Sequence, residues 1–221
     1  MIKICAFFKR RPDMEVEAFQ EYWRSVHGPI AAALPGLRRY VQSHVLPGIY
    51  RRAEPVYDGL AELWFESADA LKELAASGGD GPVRADQAAF MDVSSYVELV
   101  TREHVIKDGA PPAQGVKNIE FVRRREGLEV PAFQQYWREV HGPLAAAIGP
   151  IERYVQCHAT SAAYRGGGKP PFDGLALTWF QSVDAMRASA ATAEYEATRA
   201  DEPNFVRGEL PFVITREHVI L

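Results

Sequence analysis

The sequence predicts an α+β protein in which two β-α-β-β-α-β repeats pack sheet to sheet as one barrel within a single chain. Three observations lead there. The first is an internal repeat: "FQEYWRSVHGPIAAA" at 19–33 returns as "FQQYWREVHGPLAAA" at 133–147, differing only at Glu21/Gln135, Ser25/Glu139 and Ile30/Leu144. The second is the order of strand-like and helix-like periodicities inside each copy. The third is physical. A four-stranded sheet with helices on one face leaves its other face to be buried, and a second copy on the same chain can cover it.

The repeat extends over nearly the whole chain. "RRYVQSH" (38–44) matches "ERYVQCH" (152–158), "YDGLAELWF" (57–65) matches "FDGLALTWF" (172–180), and "RADQAAF" (84–90) matches "RADEPNF" (199–205). "TREHVI" recurs without change at 101–106 and 215–220. Between the copies, "KDGAPPAQG" has the Gly and Pro content of a linker. The expected organisation is a first repeat over 1–107, a linker over 108–115 and a second repeat over 116–221.

Within the first repeat, "KICAFFKR" reads as a short strand. From Glu15 to Leu34, the apolar residues Val16, Phe19, Trp23, Val26 and Ile30 recur at intervals of three and four, which predicts one amphipathic helix. Arg38 to Leu46 alternates, with Tyr40, Gln42 and His44 on one face and Val41, Ser43 and Val45 on the other. Asp58 to Glu66 is a second strand, and the Asp58-Gly59 pair at its start reads as a turn. Ser67 is placed to cap a second helix, with Asp69 in its first turn. Tyr96 to Ile106 closes the unit, giving the ferredoxin-like order.

Composition excludes several function classes. The 221 residues carry 29 acids and 25 bases, a formal charge of -4, so neither nucleic acid nor a membrane surface is an expected partner. The N-terminal apolar run is too short for a signal peptide, and no apolar stretch approaches the ~20 residues that span a bilayer. Cys5 and Cys157 occupy non-equivalent positions, since Cys157 aligns with Ser43. Both are expected as reduced thiols in a cytoplasmic protein. No G-x-G-x-x-G, P-loop or G-x-S-x-G motif is present.

The candidate chemistry lies in the repeated phrase. Trp23 and His27 are one helical turn apart, and Gly28-Pro29 bends the chain beside them. An imidazole at such a bend serves equally well as a structural cap or as a general acid or base. Glu62 stands in mid-strand between Ala61 and Leu63, where burial is costly unless the carboxyl is partnered; it is the candidate partner of His27. Tyr40 and Gln42 are candidates to hold a substrate oxygen, His44 to complete a polar wall, and Trp23, Trp64 and Tyr22 to flank a flat substrate. The second repeat offers His141, Tyr154, Gln156, His158, Trp137 and Trp179, but Leu177 replaces Glu62, which assigns the chemistry to the first half. His104, between Glu103 and Val105, reads as an exposed strand edge. Gathering His27, His44 and Glu62 as metal ligands lacks any H-x-x-x-H spacing, so neither metal nor organic cofactor is expected.

The series F-x-x-Y-W-x-x-x-H-G-P, R-Y-x-Q-x-H and D-G-x-A-E-x-W-F, in that order, resembles the EthD domain of the dimeric α+β barrel superfamily. That resemblance implies a barrel made from the two halves of the chain, and chemistry on aromatic, polyketide-like or lactone small molecules. The resulting expectation is a small cofactor-independent lyase, dehydratase or isomerase. The alternatives are an oxygenase or haem-dependent enzyme, or a non-catalytic small-ligand-binding barrel. The expected partner is a small-molecule substrate, and the expected higher assembly is a homodimer of tandem chains.

Overall fold

A computed structural model describes residues 1–221. In the first repeat, β1 (Ile2–Arg10) leads to α1 (Val16–Tyr22), a π-helical turn (Trp23–His27) and α2 (Gly28–Ala32). Then come β2 (Leu37–Val45), the single turn α3 (Pro47–Tyr50), β3 (Gly59–Phe65), α4 (Ala68–Ser77), α5 (Gly81–Gln87) and the long β4 (Met91–Lys107). The second repeat follows the same order. It comprises β5 (Val116–Val122), α6 (Val130–Tyr136), a π-helical turn (Trp137–His141), α7 (Gly142–Ala146), β6 (Arg153–Ala159), β7 (Gly174–Phe180), α8 (Val183–Ser189), α9 (Ala193–Asp201) and β8 (Phe212–Val219). Ser67 caps α4 as expected, its hydroxyl accepting from the Ala70 amide at 3.1 Å.

The strands are antiparallel and hydrogen bonded in the closed order β1-β3-β2-β8-β5-β7-β6-β4, an eight-stranded α+β barrel. Two compact units make up the chain: residues 1–102 with 217–221, and residues 103–216. In the first unit, the Tyr40 amide donates to the Leu221 carbonyl at 3.0 Å and the Ile220 amide to the Tyr40 carbonyl at 2.9 Å. No helix is long and apolar enough to cross a membrane, and both cysteines are buried thiols.

Register sorts the side chains of the first sheet onto two faces. Ile4 pairs with Leu63, Ala6 with Ala61, Tyr40 with Leu63 and Gln42 with Ala61, and these face the helices. Lys3 pairs with Trp64, while Cys5 and Val41 both pair with Glu62, so these occupy the opposite face. Directly paired antiparallel residues share a face, and alternate residues change it.

The helix predicted over Glu15–Leu34 is interrupted, and the interruption changes which residues are buried. A π turn inserts one residue into the α-helical repeat. After Phe19 and Trp23, both 0% exposed, a regular helix would bury Val26, yet Val26 is 42% exposed and His27 only 5%. The second repeat does the same, with Val140 at 45% and His141 at 6%. The extra residue therefore turns the valine outward while the histidine, four residues after the tryptophan, keeps the inner face.

Gly59 marks the closest approach of helix to sheet. A Cβ there would stand 2.5 Å from the Trp23 indole, and one at Gly174 would stand 2.6 Å from that of Trp137. The glycine of the Asp-Gly pair is thus required by the indole across it. Gly59→Ala should destabilise the protein by about 1–3 kcal/mol through overpacking. Urea unfolding followed by tryptophan fluorescence reads this, and an unchanged midpoint would refute the packing account.

Candidate active site

Beneath the helices of the first repeat lies a cavity of about 400 Å³. Its walls are mostly apolar, from Ile4, Ala6 and Phe8 on β1, Leu63 and Phe65 on β3, and Leu71 and Leu74 on α4. Into this lining come Trp23, His27 and Tyr40, with Asp80, Arg84, Gln87, Tyr96 and Glu98 supplying the remaining polar groups. This volume lies within the range of small-molecule sites, and a largely apolar wall with few polar groups is their usual character.

The hydrogen bonds around Tyr40 fix its role. The Gln42 amide nitrogen donates to the Trp23 carbonyl at 2.8 Å and to the Tyr40 hydroxyl oxygen at 2.9 Å. The Trp23 indole N–H donates to the same hydroxyl at 3.2 Å. A carbonyl only accepts and an indole only donates, so these directions are settled. Tyr40 therefore accepts twice, and its own proton remains for an acceptor in the cavity. Burial pushes its pKa up to about 12, so the phenol stays protonated at neutral pH.

His27 is oriented by a carboxylate that sequence reasoning passed over. Its Nδ1 lies 2.8 Å from Oδ2 of Asp86 on α5, and the Tyr22 hydroxyl donates to the other oxygen at 2.7 Å. The neutral tautomer so favoured carries its proton on Nδ1 and a lone pair on Nε2. Burial holds the imidazole below its usual pKa, against the opposing pull of Asp86. The second repeat keeps the arrangement, with Asp201 at 3.0 Å from His141 and the Tyr136 hydroxyl at 2.6 Å from Asp201. The signal was in the sequence: "RADQAAF" and "RADEPNF" pair Asp86 with Asp201.

Other residues singled out from the sequence lie elsewhere. Glu62 is not brought to His27. It faces the other side of the sheet, 2.6 Å from the Lys3 ammonium, with both side chains 1% exposed, and the Ser43 hydroxyl is 3.4 Å away. Alternation along β3 decides this, because Glu62 sits between the cavity residues Ala61 and Leu63. Trp64 shares that opposite face, 4.5 Å beneath the Lys3 ammonium, as Trp179 lies 4.8 Å from that of Lys117. Gln42 and His44 do not line this cavity. His44 Nε2 bonds the Gln42 carbonyl oxygen at 2.9 Å, and its ring stacks on Trp23 at 4.4 Å. Tyr22 acts through Asp86. The metal-ligand set of His27, His44 and Glu62 is not assembled. Gln156, His158, Trp137 and Tyr154 repeat the same contacts, with His158 stacked on Trp137 at 4.5 Å. The second cavity, however, measures only about 60 Å³.

Comparison with known proteins follows the same lines. The pattern defining the EthD domain matches residues 11–94 and 125–209. No curated protein matches the chain. Among solved structures, an anthrone oxidase-like protein is 13% identical with a TM-score of 0.65, over 99% of this chain and 93% of its own. A candidate monooxygenase from Fusobacterium nucleatum is 7% identical with a TM-score of 0.62, over 100% and 92%. A candidate chlorite dismutase is 12% identical with a TM-score of 0.59, over 98% and 94%. At these identities the likeness is one of fold.

The stacked histidines give a test by pH. Burial, with neighbouring positive groups second, lowers the pKa of His44 and of His158 to about 3. The folded state then binds fewer protons than the unfolded one between that value and the ordinary ~6.5, so stability is full above pH 6.5 and falls on acidification. By pH 5 each should cost on the order of 2 kcal/mol. Urea unfolding at pH 7 and pH 5 measures this. His44→Gln should reduce the pH dependence whatever it does to absolute stability, and an undiminished slope would contradict the assignment.

Proposed function

The chain belongs to the EthD family, with one domain in each half, and from the lining of its first cavity we propose that it is an acid–base catalyst acting on an aromatic or polyketide-like carbonyl compound. The observation that carries this reading is the pairing of His27, oriented by Asp86, with a Tyr40 hydroxyl whose accepting positions are already filled, both on the wall of one apolar cavity.

In this reading the substrate carbonyl oxygen takes the Tyr40 proton as a hydrogen bond, and His27 Nε2 removes a proton from the adjacent carbon. Negative charge gathers on the oxygen as the enolate forms, where a fixed donor in a largely apolar site is most effective. Asp86 stabilises the imidazolium until the proton is returned, either to another carbon (isomerisation) or to a departing hydroxyl (dehydration). Trp23 and Phe8 supply flat apolar surface for a planar ring system. Gln42 is a positioning residue, because it holds Tyr40 and the π turn without lining the cavity.

Exchange of α-protons for deuterium tests the step without requiring the natural substrate. A fused aryl ketone with an α-methylene, such as 1-tetralone, followed by NMR in D2O, should exchange its α-protons faster with the protein than without it. His27→Gln should slow that exchange by at least about tenfold, within the ~10²–10⁴ that a positioned base contributes. Tyr40→Phe should slow it by about 10²-fold, the value of one oxyanion donor. His141→Gln should leave it near wild type. Rates are compared at matched folded concentration, because Tyr40→Phe strands two buried donors and costs about 1–3 kcal/mol of stability. Full exchange in His27→Gln would overturn the proposal, and parallel measurement of dioxygen uptake separates it from an oxygenase.

A further inference from the structure

The two repeats serve as controls for one another. His27/His141, Tyr40/Tyr154 and Ala61/Ala176 occupy equivalent places around both cavities, yet the space falls from about 400 Å³ to about 60 Å³. The linings differ at many positions, Leu63/Thr178, Val83/Thr198 and Gln87/Glu202 among them, but only Ala6/Glu120 and Asp80/Tyr195 add a much bulkier side chain. On the first strand Ile4 and Ala6 become Asn118 and Glu120, and on the helices Leu74 and Asp80 become Ser189 and Tyr195. Ala6 pairs with Ala61 as Glu120 pairs with Ala176, so the glutamate side chain leaves the sheet on the cavity side. Its charge acts on Tyr154, where it adds to the burial that raises that phenol's pKa.

We infer that Glu120 occupies in the second repeat the space that a ligand takes in the first. Ala6 is then the specificity-determining residue of the open cavity, and each chain binds one planar, uncharged aromatic ketone or phenol. The inference rests on the first cavity being the substrate site, as proposed above, but not on what His27 does there.

The absence of charge on the ligand follows from what accompanies Glu120. Asn118 hydrogen bonds to it, and Arg199 stands 3.9 Å away while binding Glu202 at 2.7 Å. In the first repeat Ile4 replaces Asn118 and Gln87 replaces Glu202. Arg84, the counterpart of Arg199, is 63% exposed and bound to Asp80 at 2.7 Å. A ligand carboxylate beside Ala6 would meet Ile4 in place of that amide, and an unpaired buried charge is strongly disfavoured.

Calorimetric titration with 2-naphthol and 2-naphthoate, one bicyclic frame with and without a carboxylate, tests this. The wild-type protein should bind one 2-naphthol per chain, and 2-naphthoate at least about tenfold more weakly. Ala6→Glu should weaken 2-naphthol binding by at least about tenfold. Ala6→Leu, a neutral filler, should do the same and serves if Ala6→Glu does not melt as a folded protein. Glu120→Ala/Tyr195→Asp should add a second equivalent. Unchanged affinity in the Ala6 variants, two equivalents in the wild type, or equal affinity for the two ligands would each overturn the inference. Binding without α-proton exchange would count against the catalytic reading and leave this one standing.

Discussion

A buried primary amide is satisfied by very few arrangements of its neighbours, and the first repeat is organised around one. Gln42 is 0% exposed and makes three hydrogen bonds, to the Trp23 carbonyl, the Tyr40 hydroxyl and His44. Leaving any of them unmade would cost about 1–3 kcal/mol for each stranded group. The bond to the Trp23 carbonyl reaches the first residue of the π turn, whose oxygen also accepts from the Gly28 amide. A Cβ on Gly28 would stand 3.3 Å from the Gln42 amide nitrogen, so the close approach there favours glycine. From this clamp follow the shifted helix register, the burial of His27 and the available proton of Tyr40.

The same clamp recurs in the second repeat with distances that agree to within 0.1 Å, although that cavity is nearly closed. Its retention there is architectural. The network holds a helix against a strand whether or not a ligand can enter, and indole, phenol, amide and imidazole satisfy one another in both copies. The repeated histidine is likewise buried in both. What separates the halves is the lining, where Glu120 stands at the position of Ala6 and Tyr195 at that of Asp80. Architecture explains why the phrase occurs twice, and the lining decides where an occupant fits.

Much of this was legible in the sequence. The duplication, the strand alternation at Tyr40, Gln42 and His44, the Ser67 cap and the α+β class all rest on local periodicity, which a single chain displays directly. The misplaced residues share a different cause. Val26 was read as buried because an α-helical period carries no sign of one inserted residue, and the evidence for the π turn lies in a glutamine on another strand. Glu62 was read as a partner of His27 because a carboxylate in mid-strand signals a need for a partner without saying which face it is on. Its neighbour, Lys3, lies in the adjacent strand. Asp86 was visible only as a matched position in the repeat, since a carboxylate on a short polar helix looks like any solvated surface group.

The choice of Asp86 over Glu62 as the partner of His27 has an electrostatic consequence. Glu62 is fully buried and requires the Lys3 cation beside it, so an imidazole there would face a carboxylate already neutralised. Asp86 is 15% exposed on its side chain and accepts a hydrogen bond from the Tyr22 hydroxyl, in contrast to the enclosed Glu62. The histidine packs its ring at 4.5 Å from that of Phe90, which is 0% exposed, on the desolvated side of the same pair. Burial on one side outweighs the carboxylate on the other, and the imidazole rests below its usual pKa. The hydrogen bond from Nδ1 to Asp86 leaves the Nε2 lone pair as the imidazole's accepting position. Because Asp86 lies on α5, the helix that also contributes Val83, Arg84 and Gln87 to the cavity, the element that orients His27 also shapes the cavity that it lines.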